Sequence, residues 1–220
     1  MGIAYRSKKE VIYERLKDDI LQGNIEPGSR LVIDDLASKL NVSQIPIREA
    51  IRQLEADGFV TTEPYVGATV TEIDATFIFE VFALLESMEV ICGRAACETM
   101  THDDWATLSQ MIDAMAATMT NPAEWSQQNK ALHLFICQCA HTELVLKMLT
   151  KVLDHWDRLR LQFLRDVSSH RIEAAQAEHQ TLLAALKQRD ADAVEHLIRE
   201  HNQRALASYI EHLQTQGHLV

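Results

Sequence analysis

The sequence predicts a mainly α chain in two parts. Residues 1–74 read as a small unit of helices closed by a β-hairpin, and residues 75–220 as an all-α antiparallel bundle of about six helices. Three observations carry this. Apolar residues recur every three to four positions through most of the chain, the spacing of amphipathic helices. Only 7 Gly and 4 Pro occur among 220 residues, so helical segments have few breaks. Strand-like runs occur together once, at Phe59–Thr62 and Ala68–Thr71, around the Pro/Gly loop Glu63–Gly67.

Composition narrows the function classes. With 47% hydrophobic residues the chain can bury a substantial core. The net charge of −11 excludes a uniformly basic nucleic-acid binder, so any DNA surface must be a local basic patch on an acidic body. No apolar run approaches the ~20 residues of a membrane span. The start, MGIAYRSKKE, matches neither a signal peptide nor a myristoylation site. Cys92, Cys97, Cys137 and Cys139 show no CxxC spacing, and are expected as reduced core thiols in a cytoplasmic setting.

Lys8–Leu21 is expected as the first helix, with Val11, Ile12, Leu16 and Ile20 in register and Gly23 as its stop. Pro27-Gly28 marks a turn. Leu36–Phe59 then reads as two short helices joined tightly. Leu36, Ala37 and Leu40 share a face of the first. Ser43 offers a hydroxyl cap to the second, and Pro46 sits in its first turn, where a missing N–H costs little. Ile47, Ala50, Ile51 and Leu54 form its buried stripe, and Gly58 ends it. Arg48 and Arg52, four apart, leave one face beside that stripe. Two arginines on an amphipathic helix are ordinarily a solvated face. The order helix, helix-turn-helix, hairpin is nonetheless that of a winged helix, with the hairpin as wing.

The pieces GNIEPGSRL (Gly23–Leu31), LASKLNVS (Leu36–Ser43), PIREAIRQLEADGFV (Pro46–Val60) and VGATV (Val66–Val70) carry a specific resemblance. In order and spacing, residues 11–73 resemble the DNA-binding domain of the GntR family of bacterial transcription regulators. The resemblance implies major-groove contacts by Ser43, Gln44, Ile45 and Arg48, with Gly67 at a wing tip that reaches the minor groove. Two positions depart from the family. Gln44 replaces an Arg, which favours adenine over guanine as its partner. Tyr65 and Val66 leave the wing tip without its usual basic residue. Residues 1–74 hold nine Lys and Arg against thirteen Asp and Glu, a net of −4. Arg6, Lys8, Lys9, Arg30, Arg48 and Arg52 are therefore expected to cluster on the DNA face, with affinity falling steeply as salt rises.

In the remaining chain six helices are expected, at Thr76–Thr99, His102–Met119, Pro122–Cys139, Glu143–Arg165, Ser168–Arg189 and Ala191–Gln214. Thr101, Asn121 and Asp190 stand at the breaks as caps or turns. Asn129 and His133, four apart, share a face that Ile136, Cys137 and Ala140 mark as inward. His179 precedes Leu182, Leu183 and Leu186 on another apolar stripe, and His201 follows Leu197 and Ile198 on a third. Three imidazoles and a carboxamide could meet there and suit zinc, nickel, copper or iron. A histidine on an apolar stripe is more often a hydrogen-bonded core residue, and ten histidines make several inward ones expected.

NKALH (Asn129–His133), EHQTLLAALKQRDADAV (Glu178–Val194) and EH (Glu200-His201) resemble the FCD-type effector domain found behind many GntR winged helices, in the FadR subfamily. Six helices match its shorter, VanR-like branch. By that resemblance His133, His179 and His201 hold a divalent metal, with Asn129 in the position of a family Asp. Zinc is the first expectation, with nickel, manganese or iron as alternatives. A small organic acid completes the coordination. Asn129, being neutral, lowers metal affinity. Leu85 stands where the family carries an Arg four residues before Glu89, so Arg158, Arg160 or Arg165 would have to supply the cation for a carboxylate.

The expected function is a ligand-responsive, homodimeric transcription regulator, a repressor, on palindromic double-stranded DNA, with no membrane partner. A metal-dependent hydrolase using the three-His site is the alternative. No helix carries HExxH, and Glu178 points to a different helix face from His179. In a third reading the histidines are core residues of an interaction protein.

Overall fold

The computed structural model describes residues 7–163, 167 and 169–215; Arg6 and Arg165 lie outside the described residues. Contacts divide the chain into two compact units that meet between Ile73 and Asp74.

The first unit runs α1 (Lys8–Leu21), β1 (Arg30–Leu31), α2 (Ile33–Leu40), α3 (Gln44–Ala56), β2 (Val60–Glu63) and β3 (Gly67–Val70). A capping box starts α1: Ser7 Oγ accepts the Glu10 N–H, and Glu10 accepts the Ser7 N–H. Asn41 ends α2 in the left-handed region, at φ 52°. Ser43 occupies the N-cap of α3, but its hydroxyl makes no capping hydrogen bond, contrary to the sequence expectation. Ile12, Leu16 and Ile20 of α1 pack with Ile47, Ala50, Ile51 and Leu54 of α3 over Phe59 and Val70. The expected hairpin is present, with Val60 opposite Val70 and Glu63 opposite Gly67. A third strand joins it: β1 pairs antiparallel with β3, Arg30 opposite Thr69, giving the order β1-β3-β2. Two residues are too short for a period-two pattern to reveal such a strand.

The second unit comprises α4 (Ala75–Thr99), α5 (His102–Ala117), α6 (Pro122–Cys139), α7 (Glu143–Gln162), α8 (Ser169–Gln188) and α9 (Ala191–Thr215). Short polar side chains set the helix starts. Asp74 caps Phe77, Thr101 caps Asp104, Asn121 caps Glu124 and Asp190 caps Ala193. The core holds Ile78, Leu108, Met115, Leu132, Leu149, Leu159 and Leu186 at under 2% exposure. Gly93 lets α4 approach α9 closely, since a Cβ there would lie 2.4 Å from Ile198 Cδ1. Cys92 of α4 and Cys137 of α6 form a disulfide with Cα atoms 4.8 Å apart, where the sequence suggested separate thiols. Cys97 and Cys139 remain unbridged and buried. No helix among the described residues is long and apolar enough to cross a membrane.

Candidate nucleic-acid interface and metal centre

Helix α3 turns Ile47, Ala50, Ile51 and Leu54 into the first unit and leaves Ser43, Gln44, Ile45, Arg48 and Arg52 exposed. Its start is tied to α2. Gln44 Nε2 donates to Asp34 Oδ1, and Gln44 Oε1 accepts from Arg48 Nη2 at 3.2 Å. Ile45 is 68% exposed between these polar groups. Gly67 lies at the wing with φ +100°, a conformation that favours glycine. A Cβ there would stand 3.4 Å from both Nε and Nη2 of Arg30. The β1–β3 pairing thus brings a guanidinium to the wing, although the hairpin's own tip, Tyr65 and Val66, carries none.

In the second unit, stripes on three helices place His133 (α6), His179 (α8) and His201 (α9) together. One donor nitrogen from each lies within 4.8 Å of the others, and the ring centroids are 5.1–5.5 Å apart. Two of the rings are oriented by carboxylates. His133 Nδ1 meets Glu89 Oε1 at 2.9 Å, and His201 Nδ1 meets Glu178 Oε2 at 2.7 Å. That leaves the Nε2 atoms as the available donors. Asn202 Nδ2 donates to Glu89 Oε2 at 2.8 Å, while Arg171 and Arg204 hold Glu178 at 2.9 and 3.0 Å. His179 stacks on Trp125 at 6.0 Å.

The charges follow from these contacts. Burial raises the Glu89 carboxyl, but the charge and hydrogen bond of His133, with Asn202, outweigh it and hold the pKa below the usual value. Burial lowers His133, and Glu89 more than offsets this, so its pKa lies above 6.5. His179 is driven well below 6.5 by burial, then by the charges of His201, His133 and Arg171, and stays neutral. His201 is lowered too: burial outweighs its bond to Glu178. Glu178 is raised by burial, but His201 and Arg171 pull its pKa down to about 2.

These residues fit a cation. Both ring nitrogens of His179 and Oδ1 of Asn129 are buried without a hydrogen-bond partner, an uncompensated cost unless something else occupies them. The three imidazoles, Glu89 and Glu178 enclose a cavity of about 10 Å³, room for a single small species. A larger cavity of about 70 Å³ adjoins it and shares Glu89, His133 and His201. Phe82, Trp125, Trp156 and Tyr209 supply its apolar walls, and Asn129 also lines it.

Of the expected effector arginines, Arg158 is 2% exposed over the Phe77 ring, and Arg160 pairs with Asp157 at 3.0 Å. Neither lines the larger cavity, whereas Arg171 does, already turned onto Glu178. Sequence reasoning missed Arg171 because Glu178, its partner on the same helix, belongs to the site only through His201 of α9.

Comparison with known proteins gives two family matches. Residues 8–70 match the model described as bacterial regulatory proteins, gntR family, and residues 80–204 match the FCD domain. The HTH-type transcriptional repressor GlaR of Escherichia coli is 29% identical over 198 residues, spanning 86% of this chain and 90% of that protein. Among solved structures, E. coli McbR/YncC superposes with a TM-score of 0.74 at 22% identity, over 94% of this chain and 99% of that one. The metal-free FCD domain of TM0439 superposes with a TM-score of 0.52 at 22% identity, over 65% of this chain and 98% of that one.

Proposed function

Because the chain belongs to the GntR family of regulators and carries an FCD domain, we propose that it is a metal-dependent, ligand-responsive transcriptional repressor. One observation carries the sensing half of this reading. Three inward imidazoles, one with both nitrogens unpartnered, converge beside a cavity large enough for a small metabolite.

His133, His179 and His201 would hold the metal through ring nitrogens, with Asn129 Oδ1 as the oxygen donor. Three imidazoles favour zinc, with nickel, manganese or iron as further candidates. Bound there, a divalent ion supplies a Lewis-acidic position open to a ligand oxygen, such as that of a small organic acid. Glu89 and Glu178 fix the His133 and His201 rings, and the aromatic walls keep water from the ligand's apolar part. Ser43, Gln44, Ile45 and Arg48 face the major groove, Arg52 adds charge, and Arg30 with Gly67 approaches the minor groove.

The working form is a cytoplasmic homodimer on a palindromic operator, its recognition helices about 34 Å apart. A lone winged helix binds too weakly to select among genomic sites. The effector shifts the dimer between arrangements that fit or miss the operator only by its differential affinity for them. The hydrolase reading has no support in the site, where Glu89 and Glu178 are both committed to imidazoles; the family is one of regulators rather than enzymes.

Selection of duplexes from a random pool by metal-assayed protein tests the proposal. Enrichment of inverted repeats, with bound metal by elemental analysis, is expected. No enrichment, or protein that can neither retain nor take up metal, would overturn the corresponding half.

A further inference from the structure

Resting on the DNA-binding reading above, we infer that Ile45 reads the 5-methyl group of a thymine in each operator half-site. Gln44, at the same helix start, is the residue whose chemistry would suggest direct base reading, through a bidentate pair with adenine. Its amide is occupied at both ends: Nε2 on Asp34 of α2 and Oε1 on Arg48. Reading adenine would require breaking both bonds, so Gln44 acts as a positioning residue that holds Arg48.

Beside the Ser43 hydroxyl, the uncommitted group at the start of α3 is the alkyl side chain of Ile45, 68% exposed and outside the unit's core cluster. In the major groove the one alkyl group is the thymine C5-methyl; cytosine presents only a C5–H at that place, and the other groups by which the bases are told apart are hydrogen-bond donors or acceptors. An aliphatic residue at this place therefore distinguishes thymine from cytosine without any hydrogen bond. Arg48 keeps donors beyond its contact with Gln44 for a guanine nearby.

The test begins from a duplex enriched by the full-length protein. Each thymine is replaced in turn by deoxyuridine, which preserves base pairing and removes only the methyl, and affinity is measured by fluorescence anisotropy at fixed salt. For the wild type, one thymine per half-site should lose about fourfold on demethylation, the worth of one buried methyl. Ile45→Ala, at an exposed position, should bind the unmodified duplex more weakly by a similar factor and show no loss at that thymine. Gln44→Ala should keep the discrimination. The inference is overturned if no deoxyuridine position weakens wild-type binding, if the sensitive thymine stays sensitive in Ile45→Ala, or if sensitivity disappears in Gln44→Ala instead. Failure to enrich any duplex would instead sink the DNA-binding reading, and this inference with it.

Discussion

His133 and Glu89 form a buried pair, Nδ1 to Oε1 at 2.9 Å, that ties α6 to α4 and, through Asn202, to α9. The carboxylate sets which ring nitrogen of His133 faces the centre, so its loss should loosen the metal site without removing a ligand. Glu89→Ala is expected to weaken zinc affinity by about 10–100-fold, read by competition with a chromogenic chelator. Unchanged affinity would remove Glu89 from the site.

That pair also links metal uptake to protons. The folded pKa of His133 lies above 6.5, so the stabilisation of its charged form by Glu89 is fully present below 6.5 and lost as pH rises through the folded value. A metal must displace the His133 proton, whereas His179, already neutral, gives up none near neutrality. Zinc binding at neutral pH should therefore release up to about one proton, and affinity should climb with pH through the His133 titration. Calorimetry in buffers of differing ionisation enthalpy reads the release directly. Binding without proton release contradicts the assignment.

Glu178 governs the acid limb of stability. Its pKa falls from the ordinary 4.5 to about 2 through His201, Arg171 and Arg204, against burial. A depressed carboxyl stabilises the fold above its unfolded pKa and loses that contribution as pH falls through the folded value. The window thus runs from 4.5 down to about 2, with an upper magnitude on the order of 3 kcal/mol. In denaturant titrations of metal-free protein, the gap between wild type and Glu178→Gln should narrow from about pH 6 to about pH 3. A constant gap would mean that the ion pairs contribute nothing.

Gly93 is the contact point of α4 and α9. A Cβ would meet Ile198 Cδ1 at 2.4 Å and Val194 Cγ1 at 2.9 Å, and the β-branched Val194 has little rotamer freedom to yield. Overpacking typically costs about 1–3 kcal/mol, and the better helix propensity of alanine returns at most about 1. Gly93→Ala should lower stability by about 1–2 kcal/mol in urea unfolding. A stabilised variant would show that the two helices can part without cost.

Much of this architecture is written locally. Stripes such as Ile47–Ala50–Ile51–Leu54 mark helices, and Thr101, Asn121 and Asp190 mark their starts, because caps act within one turn. The same stripes turn His133, His179 and His201 inward. What a single-helix pattern cannot carry is the partner across a gap. The pairs Glu89–His133, Glu178–His201 and Cys92–Cys137 each join two different helices. The guanidinium at the wing belongs to Arg30, on a strand of two residues. Gln44 looked like a base reader because its tie to Asp34 depends on how α2 and α3 pack.

The grip of the first turns of α3 on operator DNA can be read at Arg48. This side chain is exposed and lies outside the core cluster, so Arg48→Ala should fold as the wild type does. Anisotropy titration of a selected duplex at fixed salt should show affinity reduced about tenfold or more. Undiminished affinity of Arg48→Ala for that duplex would mean that these turns do not hold the operator.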